Sequence, residues 1–255
     1  MDWCTSNVIR IECRPLAMSD SPLPPSRPLF DPEHLPITHS PNELPPVNAE
    51  LLTVEGLRQR FNAPRDWHPE ITEAPRWLPR TELTHAAVLI PLVARPQGLS
   101  VLLTQRTEHL THHAGQISFP GGRTEAADLD PVDTALREAE EEIHLDARHV
   151  EVLGCLPEYL TGTNFSVTPV VAIVHPPFSV SPDACEVAEI FEVPLAHLMD
   201  PAHHEIRSLV WEGGERHFYA MPYPRSTGSD SAGGVYFIWG ATAGMLRNLY
   251  RFLAA

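Results

Sequence analysis

Two apolar runs dominate the chain, 85–93 and 99–104, separated by Pro96-Gln97-Gly98. Runs of this length, bounded by turn-forming residues, predict two buried strands joined by a tight turn. Further strands are predicted at 150–156, 167–174, 205–211, 216–221 and 235–238. Apolar positions at helical spacing predict helices over about 131–144, around 186–198 and over 241–253, with an earlier one over 50–61 carried by Leu51, Leu52, Val54, Leu57 and Phe61. Strands and helices interleave without strict βαβ regularity. An α/β fold with a mixed sheet and helices packed against it therefore fits better than a doubly wound parallel sheet.

The N-terminal region has a different texture. Residues 1–50 are crowded with proline and show no hydrophobic period, so they are expected to be extended or disordered, with Met18 an alternative start. A short helical, proline-broken lead-in follows over 51–83, and the main domain is expected over 84–255. With 255 residues the chain can bury one sizeable core, which directs the search to a single site.

Charge and composition then remove several classes of function. The 18 basic residues are all arginine and face 33 acidic ones, a formal charge of -15 that disfavours nucleic acid and anionic membranes as partners. The absence of lysine excludes a Schiff base, a Walker-type phosphate lysine and a lysine general base. Four cysteines, Cys4, Cys13, Cys155 and Cys185, form no CxxC pair and are too sparse for a disulfide framework, in keeping with a reducing cytosol. The longest apolar run, 86–94, is interrupted by Pro91 and falls well short of the roughly 20 residues a spanning helix needs. With no basic segment leading into an apolar core at the N-terminus, a soluble, cytoplasmic protein is expected.

The candidate chemistry lies in one helix. Asp130-Pro131-Val132-Asp133 is a helix start: Asp130 can cap, Pro131 suits a position whose N–H has no intrahelical partner, and Asp133 favours the positive end of the dipole. Val132, Ala135, Leu136, Ala139 and Ile143 form the packing stripe. Glu138, Glu141 and Glu142 fall beside it within an arc of about 100°. Carboxylates so spaced repel one another unless a cation joins them, and all-oxygen ligands suit Mg2+ or Mn2+. An EEE run alone is more often solvated surface, and two glycines alone more often a turn. Here Phe119-Pro120-Gly121-Gly122 precedes the capped helix, and paired glycines permit the close backbone approach that a phosphate-cradling loop requires. Arg137, beside the acidic face, can hold a glutamate in a bidentate pair, with a surface ion pair as the alternative.

The glycine pair followed by Arg137-Glu138-Ala139-Glu140-Glu141-Glu142-Ile143-His144-Leu145 resembles the Nudix hydrolases, whose box ends R-E-U-x-E-E-x-G-U. The chain departs from that pattern at His144, where the glycine stands, and in a longer segment between Gly122 and Arg137. Within the family it resembles the coenzyme A pyrophosphatases. The residues that carry this are Leu102-Leu103-Thr104-Gln105-Arg106 and 112–122, ending in the GxxxFPGG pattern of Gly115 to Gly122, together with 134–138, 167–171 and 238–243. The resemblance spans about 84–253 and implies an α/β/α sandwich with a loop-helix-loop catalytic motif. It implies Mg2+- or Mn2+-dependent hydrolysis of coenzyme A or its derivatives to phosphopantetheine and adenosine 3',5'-bisphosphate, with a small-molecule nucleotide as partner.

On this reading Glu138, Glu141 and Glu142 are the metal ligands and Arg137 completes the catalytic set. Arg106 at a strand end is a candidate phosphate anchor, with a structural ion pair as the alternative. Gly121, Gly122, Gln116 and His113 are further candidates for substrate contact, although ordinary loop positions are the plainer expectation for His112 and His113. The general base is a glutamate of the box or a later one such as Glu189, for which an exposed helix position is the plainer expectation. The competing readings are a pyrophosphatase for ADP-ribose or a dinucleotide, and a non-catalytic nucleotide sensor, whose usual mark would be loss of a box glutamate.

Overall fold

A computed structural model of the chain describes residues 31–70, 83–108, 115–211, 214–225 and 234–255. Strands β1 (Ile37–His39), β2 (Thr84–Arg95), β3 (Gly98–Arg106), β4 (Ile117–Ser118), β5 (Gly121–Arg123), β6 (Val150–Cys155), β7 (Tyr159–Leu160), β8 (Phe165–Val174), β9 (Val187–Pro194), β10 (Glu205–Trp211), β11 (Gly214–Pro224) and β12 (Val235–Trp239) build two sheets. Among the described residues four α-helices accompany them: α1 (Val54–Asn62), α2 (Pro131–Ile143), α3 (Leu195–Leu198) and α4 (Gly240–Ala254).

The larger sheet is mixed. Its spine runs β4-β3-β2-β8-β6, with β5 against β2, β7 against β8 and β9 against β3. The central pair β2 and β8 is parallel, Thr84 lying opposite Phe165 and Val93 opposite Val174, whereas β3, β5 and β9 pair antiparallel. Both faces of this pair are covered, which is why its sequence is a continuous apolar run. Ala86, Ile90 and Leu92 of β2 join Val167, Val171 and Ile173 of β8 in the core shared with α4, and Ala87, Leu89 and Val93 join Val170, Ala172 and Val174 in the core under α2. Pro96 and Gln97 turn the chain, and Gly98 enters β3 at φ +122°, a conformation that favours glycine.

The predicted helix around 186–198 is largely a strand. Residues 187–194 form β9, antiparallel to β3 from Arg106↔Val187 to Ser100↔Pro194, and only Leu195–Leu198 is helical. Val187, Ile190, Phe191, Leu195 and Leu198 do have helical spacing, but Phe191 and Val193 pack into one core while Val187 and Ile190 pack into the other. A strand buried on both faces loses its period of two, and Pro194 stops a helix from running through.

The second sheet, β1-β10-β11-β12, is antiparallel. Ile37–His39 forms its edge, and Val47 is buried, with its N–H donating to the Met199 carbonyl. A buried polar group ties this sheet to α4 and to the lead-in. The Arg247 side chain is 3% exposed and donates from Nε and Nη2 to Glu70 Oε1 at 3.1 and 2.9 Å, and from Nη1 to His204 Nδ1 at 3.0 Å. His204 Nε2–H then donates to the Leu198 carbonyl at 2.8 Å, the Glu70 amide donates to Asn248 Oδ1 at 2.8 Å, and Tyr219 OH donates to Glu70. Among the described residues no helix is long and apolar enough to cross a membrane.

Candidate active site

Helix α2 starts as its sequence dictates. Asp130 Oδ1 accepts from the amides of Val132 and Asp133 at 2.8 and 3.0 Å, and Pro131 occupies the first turn. Ala135, Ala139 and Ile143 are buried against β2 and β8, which turns the flank bearing Glu138 and Glu142 toward β5. At the other end His144 stands where the motif has glycine and adopts that glycine's left-handed conformation, φ 52°. Its amide donates to Glu140 O and the next amide to Ala139 O, while Nδ1–H donates to Ser181 O at 2.9 Å. A non-glycine residue there costs about 1 kcal/mol, and the Ser181 contact offsets part of it.

The glycine pair fits around the carboxylates. Gly121 and Gly122 lie in β5 opposite Val88 and Ala87. A Cβ on Gly121 would come within 2.5 Å of the Ala87 carbonyl oxygen, and one on Gly122 within 2.4 Å of Glu138 Oε1. Glycine is required at 121 by backbone and at 122 by the carboxylate itself. The obstacle at 122 is the end of a flexible side chain, so Gly122→Ala is expected to fold normally, with an unchanged melting temperature, while displacing Glu138. Misplacement on this scale lowers kcat about tenfold to a hundredfold, which steady-state kinetics will measure.

Glu142 is the most enclosed of the three glutamates. Its side chain is 4% exposed; Oε2 accepts from the Gly121 amide at 3.2 Å and Oε1 faces Arg106 Nη1 at 3.4 Å. Burial pushes its carboxyl up to about 7, against the Gly121 hydrogen bond and the Arg106 charge, with the like charges of Glu138 and Glu186 adding to the rise. Glu138, half-buried, is also raised, first by burial, which outweighs the opposing charge and hydrogen bond of Arg137, with Glu141 and Glu186 adding to the rise. Glu141 is largely exposed and reaches Arg137 Nη1 at 2.9 Å. Among the described residues, no three acidic, histidine or cysteine side chains converge on one point as they stand. What exists is a flank of hard oxygen donors, two of them in surroundings that disfavour their charge, and that is chemistry a divalent cation satisfies.

Arg137 is held differently from the expectation. Its bidentate partner is Asp128, with Nε to Oδ1 at 3.0 Å and Nη2 to Oδ2 at 3.2 Å, and Nη1 is shared by Glu138 and Glu141 at 3.0 and 2.9 Å. An arginine on the same helix cannot offer a planar fork to a neighbouring glutamate as well as a preceding turn can. Asp128 also accepts from the Glu125 amide and from Thr134 Oγ1, and the Arg137 hydrogen bond, with these, holds its carboxyl far below the usual range. The extra residues between Gly122 and the helix thus supply the anchor for Arg137, a role their length alone did not suggest.

Glu186 also went unnoticed in the sequence. The segment before β9 docks on the last turn of α2, the amides of Ser181 and Asp183 donating to the carbonyls of Ile143 and Glu142 at 3.0 and 2.9 Å. This brings Glu186 to 3.8 Å from Arg106 Nη2 and within the field of Glu138 and Glu142. Glu189 is placed elsewhere. It lies on a strand, not an exposed helix, in register with Gln105, and its carboxylate accepts from Tyr236 OH at 2.5 Å and faces Arg225 at 3.5 Å. Gln116 lies beside β4 and its carbonyl accepts from the Arg106 amide at 2.9 Å. Thr242 of α4 donates to the Ile117 carbonyl at 3.0 Å, joining the C-terminal motif to the start of the glycine segment. His112 and His113 lie outside the described residues, as does most of the serine- and glycine-rich stretch before β12.

A mixed sheet with α2 on one face and α4 on the other, and a glycine-bearing strand feeding a carboxylate helix, define an α/β/α phosphoanhydride hydrolase architecture. The NUDIX domain model matches residues 83–211. A protein from Escherichia coli O7:K1 called "Uncharacterized Nudix hydrolase NudL" is 40% identical over 202 residues, spanning 78% of this chain and 93% of that one. Its Shigella flexneri counterpart of the same name is 39% identical over the same shares. Among solved structures, the Nudix hydrolase RenU from M. smegmatis matches 44% of this chain and 71% of its own, at 27% identity and a TM-score of 0.38. The chain belongs to the Nudix hydrolase family. It is accordingly a hydrolase of pyrophosphate linkages in nucleoside diphosphate derivatives, of a family that generally works with divalent metal ions such as Mg2+ or Mn2+.

Proposed function

We propose that this enzyme hydrolyses the diphosphate linkage of coenzyme A or its derivatives, releasing phosphopantetheine, or its acylated form, and adenosine 3',5'-bisphosphate. One observation carries the reading. Arg106, which ends the Leu102-Leu103-Thr104-Gln105-Arg106 segment, lies 3.4 Å from Glu142 of the box. This contact supports placing the segment on which the coenzyme A resemblance rests and the carboxylate helix in one site.

Glu138, Glu141 and Glu142 would hold Mg2+ or Mn2+. When bound, such an ion would neutralise charge on the diphosphate and make the attacking water easier to deprotonate. Arg137, fixed by Asp128, keeps Glu138 and Glu141 on one flank, while Gly122 leaves the Glu138 carboxylate its room. Arg106 presents a planar fork to a phosphate oxygen, its present partners Glu142 and Glu186 being only loosely engaged at 3.4 and 3.8 Å. Glu186, half-exposed, is better placed than Glu189 to accept a proton at Oε2, because Tyr236 and Arg225 already occupy the Glu189 carboxylate.

The test is product analysis by mass spectrometry after incubation with coenzyme A, ADP-ribose or a dinucleoside polyphosphate in Mg2+ or Mn2+. Adenosine 3',5'-bisphosphate and phosphopantetheine are expected, with the highest kcat/KM for coenzyme A. A clear preference for ADP-ribose would overturn the substrate assignment, and binding of coenzyme A without cleavage would make the protein a sensor.

A further inference from the structure

Gly122 and Arg123 are consecutive in β5, so their side-chain directions are opposite. Gly122 faces the Glu138 carboxylate, and Arg123 extends over the other face of the sheet, its guanidinium carbon 5.3 Å from the centre of the Phe165 ring. Among the described residues, strand β5 pairs with β2 alone. The backbone here is tied to the carboxylate helix, because Arg137 Nη2–H donates to the Arg123 carbonyl at 3.0 Å.

Arg123 also differs from the other arginines of the site in charge balance. Arg106 and Arg137 both face carboxylates, whereas Arg123 has no carboxylate within ion-pair distance among the described residues, in a chain where acidic residues far outnumber basic ones. A second such arginine borders the same hairpin. Phe165 opens β8 just after the 161–164 turn, and the exposed Arg216 of β11 lies against Gly162 of that turn, so that a Cβ there would come 2.9 Å from Nη2. Arg216 likewise has no carboxylate partner among the described residues. Two exposed guanidiniums thus flank one turn, the first set over an aromatic ring, and neither has a carboxylate partner among the described residues, which is an arrangement suited to a dianionic phosphate.

We infer that Arg123, seconded by Arg216, binds a phosphate of the substrate that is not part of the scissile diphosphate. For coenzyme A this is the 3'-phosphate of the ribose. The inference rests on the proposed reading for the identity of that phosphate, though the arginines themselves call only for a further phosphomonoester on the nucleotide. It makes Arg123 a determinant of specificity at one residue's remove from the glycine pair.

The experiment compares kcat/KM for coenzyme A and 3'-dephospho-coenzyme A in the wild type and in Arg123→Gln, Arg123→Lys and Arg216→Gln. Arg123→Gln is expected to raise KM for coenzyme A about tenfold to a hundredfold, with at least a tenfold smaller effect on the dephosphorylated compound, so that selectivity collapses. Arg123→Lys should recover part of it, and Arg216→Gln should show the same selective loss to a smaller degree. Equal losses on both substrates, no loss on either, or a wild type that does not distinguish them would each overturn the inference. If the wild type does not cleave coenzyme A, the substrate reading has failed independently. The same comparison then runs on NADPH and NADH, which differ by a 2'-phosphate, with the same outcomes deciding.

Discussion

Glu142→Gln is expected to lower kcat by about a thousandfold, since on the proposed reading Glu142 is a ligand to the cation and such a ligand contributes several kcal/mol to the transition state, and yet to leave the metal-free protein more stable above pH 7. Both effects follow from one side chain. Glu142 is almost wholly buried, and its compensation is one backbone amide and an arginine at 3.4 Å. Burial raises its carboxyl to about 7 in the folded state from an ordinary value of 4.5. A carboxyl with a raised folded pKa favours folding less and less as it is forced to ionise. The cost of the native charge begins near pH 4.5, grows as pH rises and is complete above about 7, where it approaches about 3 kcal/mol. Glutamine retains an oxygen for the Gly121 amide and carries no charge. Urea denaturation in chelator should therefore show the variant gaining on the wild type between pH 4.5 and 7 and holding that gain above. Adding Mg2+ should raise the melting temperature of the wild type and do little for the variant. Full turnover by Glu142→Gln would remove the carboxylate flank from the mechanism.

How much of this could be read from the chain depended on whether a feature is local. Helix α2 was legible because its cap, its proline and its packing stripe are all encoded within fourteen residues, 130–143. The central strands were legible because two covered faces leave an unbroken apolar run. The same condition misled at β9, where the apolar residues of a doubly buried strand fall at helical intervals, and only pairing with β3 decides between the two. The site divides in the same way. Arg137 and the box glutamates were visible as a pattern, but the partner of Arg137 was not, since Asp128 reaches it only after the preceding turn folds back. Glu186 owes its position to a segment that satisfies the last carbonyls of α2, a contact between residues some forty positions apart that no spacing rule contains.

Arg247→Leu is expected to cost about 3–5 kcal/mol of stability, because removing one member of a buried charged network leaves the others unpaired. Three elements meet at this guanidinium: Glu70 of the lead-in, His204 before β10, and α4 itself. Glu70 is partly buried, which by itself raises its carboxyl, but the hydrogen bonds from Arg247 and Tyr219 outweigh this and leave it lowered; Arg251, 3.6 Å away, can replace only part of that support. His204 is fully buried and neutral, with Nδ1 accepting from Arg247 and Nε2–H donating to Leu198 O, and burial, with the Arg247 charge, pushes its pKa down to about 4. The unfolded chain takes up this proton near pH 6.5 and the folded protein does not until about 4. Stability from His204 is therefore complete above 6.5 and falls as pH drops toward 4, by about 3 kcal/mol in all. Both parts are open to measurement by urea denaturation across this range. A midpoint for Arg247→Leu close to that of the wild type would show that the network contributes little. A His204→Gln variant should follow a flatter pH curve than the wild type, and parallel curves would show that this histidine is not held neutral by its burial.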